Sequence, residues 1–241
     1  MRATSIIYRR ELGAYLRSPF AWVIAAVLLL LQGILFQAFA LQGEQLSAIV
    51  LERFFYISGV IPLFGGVLLS FRLLAEERQP HSMVLLNTSA VRDSEIVLGK
   101  FLAALTFLAI LLAVSFYMPL LIKVNGKITT SQVLVGYFGL FLWGAAVLAI
   151  GIFGSALAKS QIMAALAGAA ITALMMFLWM FAKKLDSPVR EVLQELDLWW
   201  VHFQNGFMRG VLNLKDVIYY VAVIYFFLLL SVKTLEAKRW Q

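Results

Sequence analysis

The hydrophobic positions of the chain fall into six long runs separated by polar segments. The runs cover about residues 20–41, 56–74, 101–122, 132–157, 162–181 and 217–232. Each run is long enough to cross a hydrocarbon core of roughly 30 Å as a helix, and the alternation typical of barrel strands is absent. The pattern predicts an all-α integral membrane protein with six transmembrane helices, forming one domain over residues 1–241.

The first run has an alternative interpretation as a secretory signal, because Ala38-Phe39-Ala40 imitates a cleavage site. A leader of about twenty residues precedes the run, and the run is longer than the apolar region of an ordinary signal. We therefore expect an uncleaved span.

Composition supports the membrane interpretation and removes several kinds of site. Hydrophobic residues make up 62% of the chain and charged residues 14%, which argues against a water-soluble enzyme. The chain has no Cys, so disulfides and thiolate ligands are excluded, and its two His residues, His81 and His202, are too few for a His-rich metal site.

Charge predicts the orientation of the spans. The side that carries both termini has twelve cations and six acids, a net charge of +6; the other side has eight cations and seven acids, a net charge of +1; together they give the total of +7. The positive-inside rule places both termini in the cytoplasm. We expect the membrane to be a bacterial cytoplasmic (inner) membrane. We attribute the positive charge to this topology and expect no nucleic-acid partner.

A helical wheel of residues 2–17 separates a basic arc from an apolar arc. The basic arc comprises Arg2, Arg9, Arg10 and Arg17, and Tyr8, Leu12, Tyr15 and Leu16 form the adjacent one. This pattern is typical of an interfacial helix in contact with membrane lipid, and Ser18-Pro19 would end it. The alternative is a basic anchor with no mechanical role.

The segment between spans two and three is the one substantial loop on the side of the termini. Pro80 breaks the helix there, Ser82 can cap a short apolar turn, and Asp93 or Ser94 can cap the helix that follows. A displayed apolar helix suits a groove on another protein, although it is equally suited to packing under its own bundle. The candidate contact residues within 76–95 are Glu76, Glu77, Arg78, Ser82, Met83, Leu85, Leu86 and Arg92.

The loop 182–216 on the other side carries an amphipathic pattern that starts at Ser187-Pro188. Apolar residues recur from Val189 to Phe203, which predicts an amphipathic helix on the extracytoplasmic surface. Trp199 and Trp200 are expected in the interfacial aromatic belt. His202 lies near them, either as a contact for a substrate or as a packed residue.

Motifs for chemistry within the chain are missing. Gly99-Lys100 and Gly126-Lys127 lack the rest of a phosphate-binding loop, and the spans carry charge chiefly near their ends. These features disfavour nucleotide hydrolysis and ion-coupled transport. An intramembrane enzyme is also disfavoured, because the chain has no recognisable set of catalytic residues. Any transport work would take its energy from elsewhere.

Small residues recur every four positions along the fifth span, a spacing that lets helix backbones approach closely. We predict a subunit contact there, formed by Ala164, Ala165, Gly168, Ala169 and Thr172, with packing inside one bundle as the alternative.

In their order and spacing, these features resemble the permease subunits of ABC-2 type exporters, in particular the six-span gliding-motility-type branch. The resemblance runs nearly end to end, and the residues that carry it are Arg10-Glu11-Leu12, Tyr15, Ser18-Pro19, Arg72 to Arg78, Glu95 to Phe101, His202-Phe203, Phe207, Gly210-Val211, Asp216, Tyr219-Tyr220 and Arg239-Trp240.

The resemblance implies a second permease subunit, paired through spans one and five, and two separate ATPase subunits that bind ATP and magnesium. Residues 76–95 would be the coupling segment and residues 2–17 the helix beside it. This chain would hold no cofactor. An alternative is a subunit that relays ATP-driven motion to an extracytoplasmic accessory protein without moving a solute.

Overall fold

The computed structural model describes residues 2–40, 46–75 and 92–239. Within these ranges the regular structure is helical throughout, with no strand. Six helices are long and apolar enough to cross a membrane: Pro19–Ala40, Ser47–Phe71, Asp93–Val124, Thr130–Leu157, Gln161–Ala182 and Leu214–Lys238, here called spans one to six. The predicted fold class and number of spans are therefore confirmed.

Several spans contain breaks in regular geometry, and shorter helices flank them. The N-terminal helix α1 is Arg2–Arg17. Helical structure continues beyond these bounds to Ala75 in span two, to Asn125 in span three and to Arg239 in span six. The other pieces are Pro19–Leu35 and the π-helical turn Phe36–Ala40 in span one; Ser47–Ser58, the π-helical turn Ile61–Gly65 and Gly66–Ala75 in span two; and Asp93–Val114 and Tyr117–Asn125 in span three.

Span two begins earlier than the apolar run indicates, at Ser47 instead of residue 56. The charged pair Glu52 and Arg53 does not end the helix, because both side chains find partners at the surface of the bundle. Arg53 donates to the carbonyl oxygen of Phe39 at 3.4 Å, and Glu52 lies 3.9 Å from Arg209. The polar residues are thus part of the first turns of the span.

Span three is longer than a bilayer requires. It covers 32 residues, whereas about 20 residues cross a hydrocarbon core. Its first half, from about Asp93 to Phe107, is where α1 packs. We call this end of the bundle, which carries α1, Ala75, Arg92 and Leu157, the proximal end, and the opposite end the distal end.

The spans differ in how much of their surface the rest of the chain covers. In span four 72% of the most apolar stretch is buried, against 17% in span five and 22% in span six. Span four is therefore the centre of the bundle, and spans five and six pack against it with most of their surfaces facing outward.

The small residues of span five are largely used inside this bundle. Ala164, Gly168 and Thr172 are buried, and a Cβ added at Gly168 would lie 3.1 Å from the Cα of Gly151 in span four. For these three residues the structure fits the alternative of packing inside one bundle, because their close approach is to span four. Ala165 is half-buried and Ala169 is exposed, so for these two the contact stays a prediction.

The distal segment between spans five and six is compact and only partly helical. A helix runs over Val189–Glu195, followed by a π-helical turn at Trp200–Gln204 and a 3₁₀ turn at Phe207–Arg209. The predicted helix through Phe203 stops at Glu195 because the carboxylate of Asp197 captures the backbone N–H groups of the next turn. Oδ1 of Asp197 accepts from Trp199 at 2.9 Å, from Val201 at 3.2 Å and from Trp200.

The aromatic residues of this segment enter the bundle instead of lining its surface. Trp199 is 3% exposed and stacks on Phe203, with ring centroids 4.5 Å apart. It also packs against Trp143 of span four. Trp200 is half-buried and stacks on Trp179. The prediction of an interfacial tryptophan pair is therefore wrong for Trp199, because Gly59 of span two leaves room for its ring.

His202 is buried as well, in a polar contact that joins the distal segment to span six. Its Nδ1 lies 2.7 Å from Oδ1 of Asp216, and its Nε2 donates to the carbonyl oxygen of Glu195 at 3.0 Å. The ring stacks on Tyr219. Of the two sequence-based interpretations, the packed histidine is the correct one, because both ring nitrogens already have partners inside the chain.

Candidate coupling site at the proximal end

Most of the predicted coupling segment falls between the described ranges. Seven of its eight candidate residues lie outside the described residues: Glu76, Glu77, Arg78, Ser82, Met83, Leu85 and Leu86. Arg92 is described and is exposed. The structure therefore defines how the segment leaves span two and how it enters span three.

Span two is held firmly where the segment begins. Leu73 and Leu74 are each 3% exposed, and the backbone N–H of Leu74 donates to Oγ of Ser155 in span four at 3.1 Å. The same Ser155 hydroxyl donates to the carbonyl oxygen of Phe71 at 3.0 Å. One buried hydroxyl thus ties the last turn of span two to the last turn of span four.

Span six is tied to the same place. Nζ of Lys238 donates to the carbonyl oxygens of Ala156 at 2.8 Å and Leu157 at 3.1 Å. These carbonyls belong to the last turn of span four, where a cation is a favourable cap. Movement of span two at this end would therefore be transmitted to spans four and six.

Span three begins where the segment ends. Its first helical residue is Asp93, and the residue before it, Arg92, donates its backbone N–H to the carboxylate of Glu95 at 3.4 Å. The expected cap at Asp93 or Ser94 is therefore displaced toward Arg92, because the Glu95 side chain reaches back past both residues.

A partly buried ion pair fixes α1 to span three. Nζ of Lys100 lies 3.1 Å from Oε1 of Glu11, and Arg10 reaches the same oxygen at 2.6 Å. The Lys100 side chain is 3% exposed. Burial by itself raises the pKa of Glu11, but the charge of Lys100 and the hydrogen bonds from Arg10 and Lys100 outweigh it, so the pKa of Glu11 lies below its ordinary value.

Close packing supports this ion pair. A Cβ added at Gly99 would lie 2.9 Å from Cγ2 of Ile7 and 3.1 Å from the carbonyl oxygen of Thr4, so the approach of α1 requires glycine at this position. Tyr15 stacks on Phe107 and donates its hydroxyl to the carbonyl oxygen of Leu69 at 2.7 Å. The predicted helix 2–17 is confirmed, and it contacts spans two and three directly.

The basic arc of α1 faces away from these contacts. Arg9, Arg10 and Arg17 are exposed, with 63% of the Arg10 side chain accessible, while Glu11 turns inward. The helix therefore presents cations outward and buries the acid that pairs with span three.

Polar side chains in the interior of the spans join one helix to another. Nε2 of Gln32 in span one donates to Oγ of Ser58 in span two at 2.7 Å. Ser115 in span three lies 3.0 Å from the hydroxyl of Tyr137 in span four. These groups are used for packing within the bundle. Among the described residues there is also no cluster of three or more His, Asp or Glu side chains placed to hold a metal ion.

Sequence reasoning placed Glu11 on the interfacial helix but missed its partner. Lys100 is 89 positions away in the chain, and Ser155 and Lys238 are equally remote from the groups they bind. The local signal that exists is the Gly99-Lys100 pair, since a glycine next to a lysine at a helix surface leaves room for a second helix.

A comparison with protein families bears on this arrangement. A family model described as ABC-2 family transporter protein matches residues 5–190. The match covers most of α1, spans one to five and the segment between Ala75 and Arg92. No curated protein matches the chain.

Proposed function

Because this chain belongs to the ABC-2 transporter family and is a multi-pass membrane component of an ABC transporter, we propose that it is the permease subunit of an ATP-driven exporter. It pairs with a second permease subunit, and separate ATPase subunits bind ATP and magnesium beneath it. Residues 76–95 are the coupling segment against which the ATPase subunit pushes.

The observation that carries the coupling proposal is the anchoring on both sides of residues 76–91. On one side the Ser155 hydroxyl ties the end of span two to span four, and on the other the Glu11–Lys100 pair ties span three to α1. A displacement of the segment would therefore move spans two, three and four and α1 together.

The proposed location is a bacterial cytoplasmic membrane with both termini in the cytoplasm. The charge difference between the two sides supports this orientation. Because the chain has no native Cys, single cysteines at Ser5 and Leu212 allow a direct check with an impermeant thiol reagent on intact cells. We expect labelling at position 212 and none at position 5 until the membrane is opened; the reverse pattern would invert the proposed topology.

Replacing Leu85 and Leu86 together by Asp tests the coupling segment. We expect the variant to lose a co-expressed ABC ATPase subunit in a pull-down, because two charges replace the apolar face that enters the ATPase groove. Leu212→Asp, at an exposed leucine on the distal side, is the matched control and should keep the ATPase. Undiminished binding by the double variant would remove this segment from the proposal.

A second candidate function is the relay of ATP-driven motion to an extracytoplasmic partner without solute transport. The interior bonds Gln32–Ser58 and Ser115–Tyr137 favour it, because these polar groups are engaged between helices and do not line a passage. Complexes reconstituted in proteoliposomes separate the two functions. Stimulation of ATP hydrolysis by a transported solute supports the exporter, whereas stimulation by an extracytoplasmic protein alone supports the relay.

A further inference from the structure

His202 joins three parts of the distal end through the two nitrogens of its ring. Nδ1 lies 2.7 Å from Oδ1 of Asp216 in the first turn of span six, and Nε2 lies 3.0 Å from the carbonyl oxygen of Glu195. His202 is 1% exposed and Asp216 is 7% exposed. The contact therefore holds the turn Trp200–Gln204, the end of the helix Val189–Glu195 and span six together, away from water.

Both neighbours of the ring are hydrogen-bond acceptors. A backbone carbonyl can only accept, and an ionised carboxylate can only accept, so each ring nitrogen has to donate. A neutral imidazole has one N–H group and one bare nitrogen, and it can satisfy only one of the two contacts. The two contacts together require a ring with a proton on each nitrogen, which is the imidazolium form.

The surroundings favour a positive ring opposite an ionised carboxylate. Asp216 lies in the first turn of span six, where the helix dipole stabilises negative charge, and its Oδ2 accepts from Nδ2 of Asn213 at 3.1 Å. The carbonyl oxygen of Glu195 ends a helix, a position that favours a cation. The ring also stacks on Tyr219, with centroids 3.7 Å apart, and positive charge strengthens such a contact.

The other titratable groups around the ring already have partners of their own. The Glu195 carboxylate pairs with Lys215, the Asp197 carboxylate accepts from backbone N–H groups, and the Tyr219 and Tyr220 hydroxyls donate to backbone carbonyls. Spans four and five, which contact the same turn, contain no charged residue. The negative charge opposite the ring therefore comes from Asp216.

We propose that His202 and Asp216 form a buried imidazolium–carboxylate pair that holds the distal segment against span six, and that loss of one proton releases it. The closed segment then binds one proton more than an open segment whose ring reaches water. Because an imidazole in water has a pKa of about 6.5, the closed state is fully stabilised below that pH and is weakened as the pH rises above it. The inference goes beyond the proposed transport function and does not depend on it.

The protonation state of the ring can be measured directly. His81 is the only other histidine, so His81→Gln leaves one imidazole in the chain. In ¹⁵N NMR of the histidine-labelled protein at pH 7.5, we expect both ring nitrogens to be protonated, and the ring to become mostly neutral when the protein is unfolded at the same pH. A native ring with one bare nitrogen would overturn the proposal.

A buried cysteine reports the opening of the segment. Because the chain has no native Cys, Leu198→Cys places a single thiol at a position that is 0% exposed. Leu212→Cys, at an exposed distal position, corrects for the dependence of the thiol reagent on pH. Relative to that control, we expect labelling of the purified protein in nanodiscs to rise by up to about tenfold per pH unit above about pH 6.5, since opening releases one proton.

Asp216→Asn is the matched variant for this measurement. Its carboxamide keeps the shape of the side chain and can donate to Nδ1 of a neutral ring, so the second proton is no longer required. We expect the corrected labelling at Leu198→Cys to lose its dependence on pH. The same pH dependence with and without Asp216→Asn, or none in either, would overturn the proposal. The NMR measurement changes neither member of the pair, so it decides the question even if Asp216→Asn does not fold.

Discussion

The two ends of the bundle are held together in different ways. At the distal end the carboxylate of Asp197 accepts hydrogen bonds from the backbone N–H groups of the next turn, beside stacked aromatic rings. At the proximal end α1 and span three meet through the Glu11–Lys100 pair, beside exposed arginines. The distal contacts fall within one continuous stretch of chain and the spans around it. The proximal contacts join helices that are remote in sequence. The distal end is thus built as one packed unit, and the proximal end as separate helices linked at discrete points, which suits an end that receives motion from a partner.

The largest expected effect comes from breaking the distal unit at Asp197. Asp197→Ala leaves the N–H groups of Trp199, Trp200 and Val201 without their acceptor. We expect the free energy of unfolding to fall by roughly 3 kcal/mol or more, since hydrogen bonds to a charged group contribute about 1.5–3 kcal/mol each. Near-ultraviolet circular dichroism during thermal unfolding in detergent measures this through the tryptophans.

Glu191→Ala is the control for that experiment. It removes an exposed carboxylate from the neighbouring helix and should change the free energy of unfolding by less than about 0.5 kcal/mol. Equal stability of the Asp197 and Glu191 variants would mean that the distal unit does not depend on this carboxylate.

A pair of glycine substitutions compares the two ends with the same added methyl group. At Gly139 the new Cβ would lie 2.4 Å from Cβ of the buried Phe207, and we expect a loss of about 2–3 kcal/mol because the distal unit has no room to shift. At Gly99 the contact is with Ile7 of α1, and we expect about 1 kcal/mol, because α1 is a peripheral helix that can move outward.

The two glycine variants are compared by thermal unfolding and by proteolysis. Gly99→Ala should expose α1 to protease while the spans stay folded. If instead Gly139→Ala is the better tolerated of the two, the contrast between a packed distal end and a separable proximal end is wrong.

The proximal link is broken by Glu11→Gln, which leaves the Lys100 ammonium buried without its carboxylate. Removing one partner of a buried pair costs about 3–5 kcal/mol, and we expect about 2 kcal/mol here because Glu11 is partly accessible. Adding Lys100→Met should restore much of the loss, because it also removes the buried charge. A double variant no more stable than Glu11→Gln in thermal unfolding would show that the pair is not what joins α1 to span three.

The smallest expected effect is a difference in pH dependence between the ends. Burial raises the pKa of Asp197 above its ordinary 3.8, despite the hydrogen bonds from Val201, Trp200 and Trp199. As the pH falls, the native state therefore binds a proton before the unfolded state does, so mild acid stabilises the distal end. The pKa of Glu11 is lowered below its ordinary 4.5. Its contribution to the stability of the native state therefore persists in mild acid and is lost as the pH falls through this lowered pKa.

Stability measured between pH 7 and pH 4.5 separates these effects. The wild type should gain stability relative to Asp197→Asn over this range and keep a constant difference from Glu11→Gln. A constant difference from Asp197→Asn would contradict the assigned effect of burial.

The features that could be predicted from the sequence are those that depend on local patterns of residues. Each apolar run is about as long as a bilayer is thick, and the arginine arc of residues 2–17 repeats with the helical period, so six spans and α1 follow directly. These patterns do not specify which helix packs against which. A stripe such as Ala164, Gly168 and Thr172 specifies a close approach, but not that Gly151 of the same chain makes it.

The distal segment was mispredicted for a different physical reason. The apolar period from Val189 to Phe203 is genuine, but the helix ends at Glu195 because the Asp197 carboxylate competes with the backbone for N–H groups. Trp199 then turns into the space beside Gly59, a residue 140 positions earlier in the chain. Both events depend on tertiary contacts that periodicity does not encode.

The central claim is that this membrane subunit depends on a partner for ATP hydrolysis and receives its motion at the proximal end. The most direct test measures hydrolysis by the purified chain in proteoliposomes, alone and with its ABC ATPase subunit. We predict no hydrolysis by the chain alone and, in the complex, a rate that Leu85→Asp/Leu86→Asp reduces to that of the free ATPase. Nucleotide hydrolysis by the isolated chain, or an unchanged rate in that variant complex, would contradict the account.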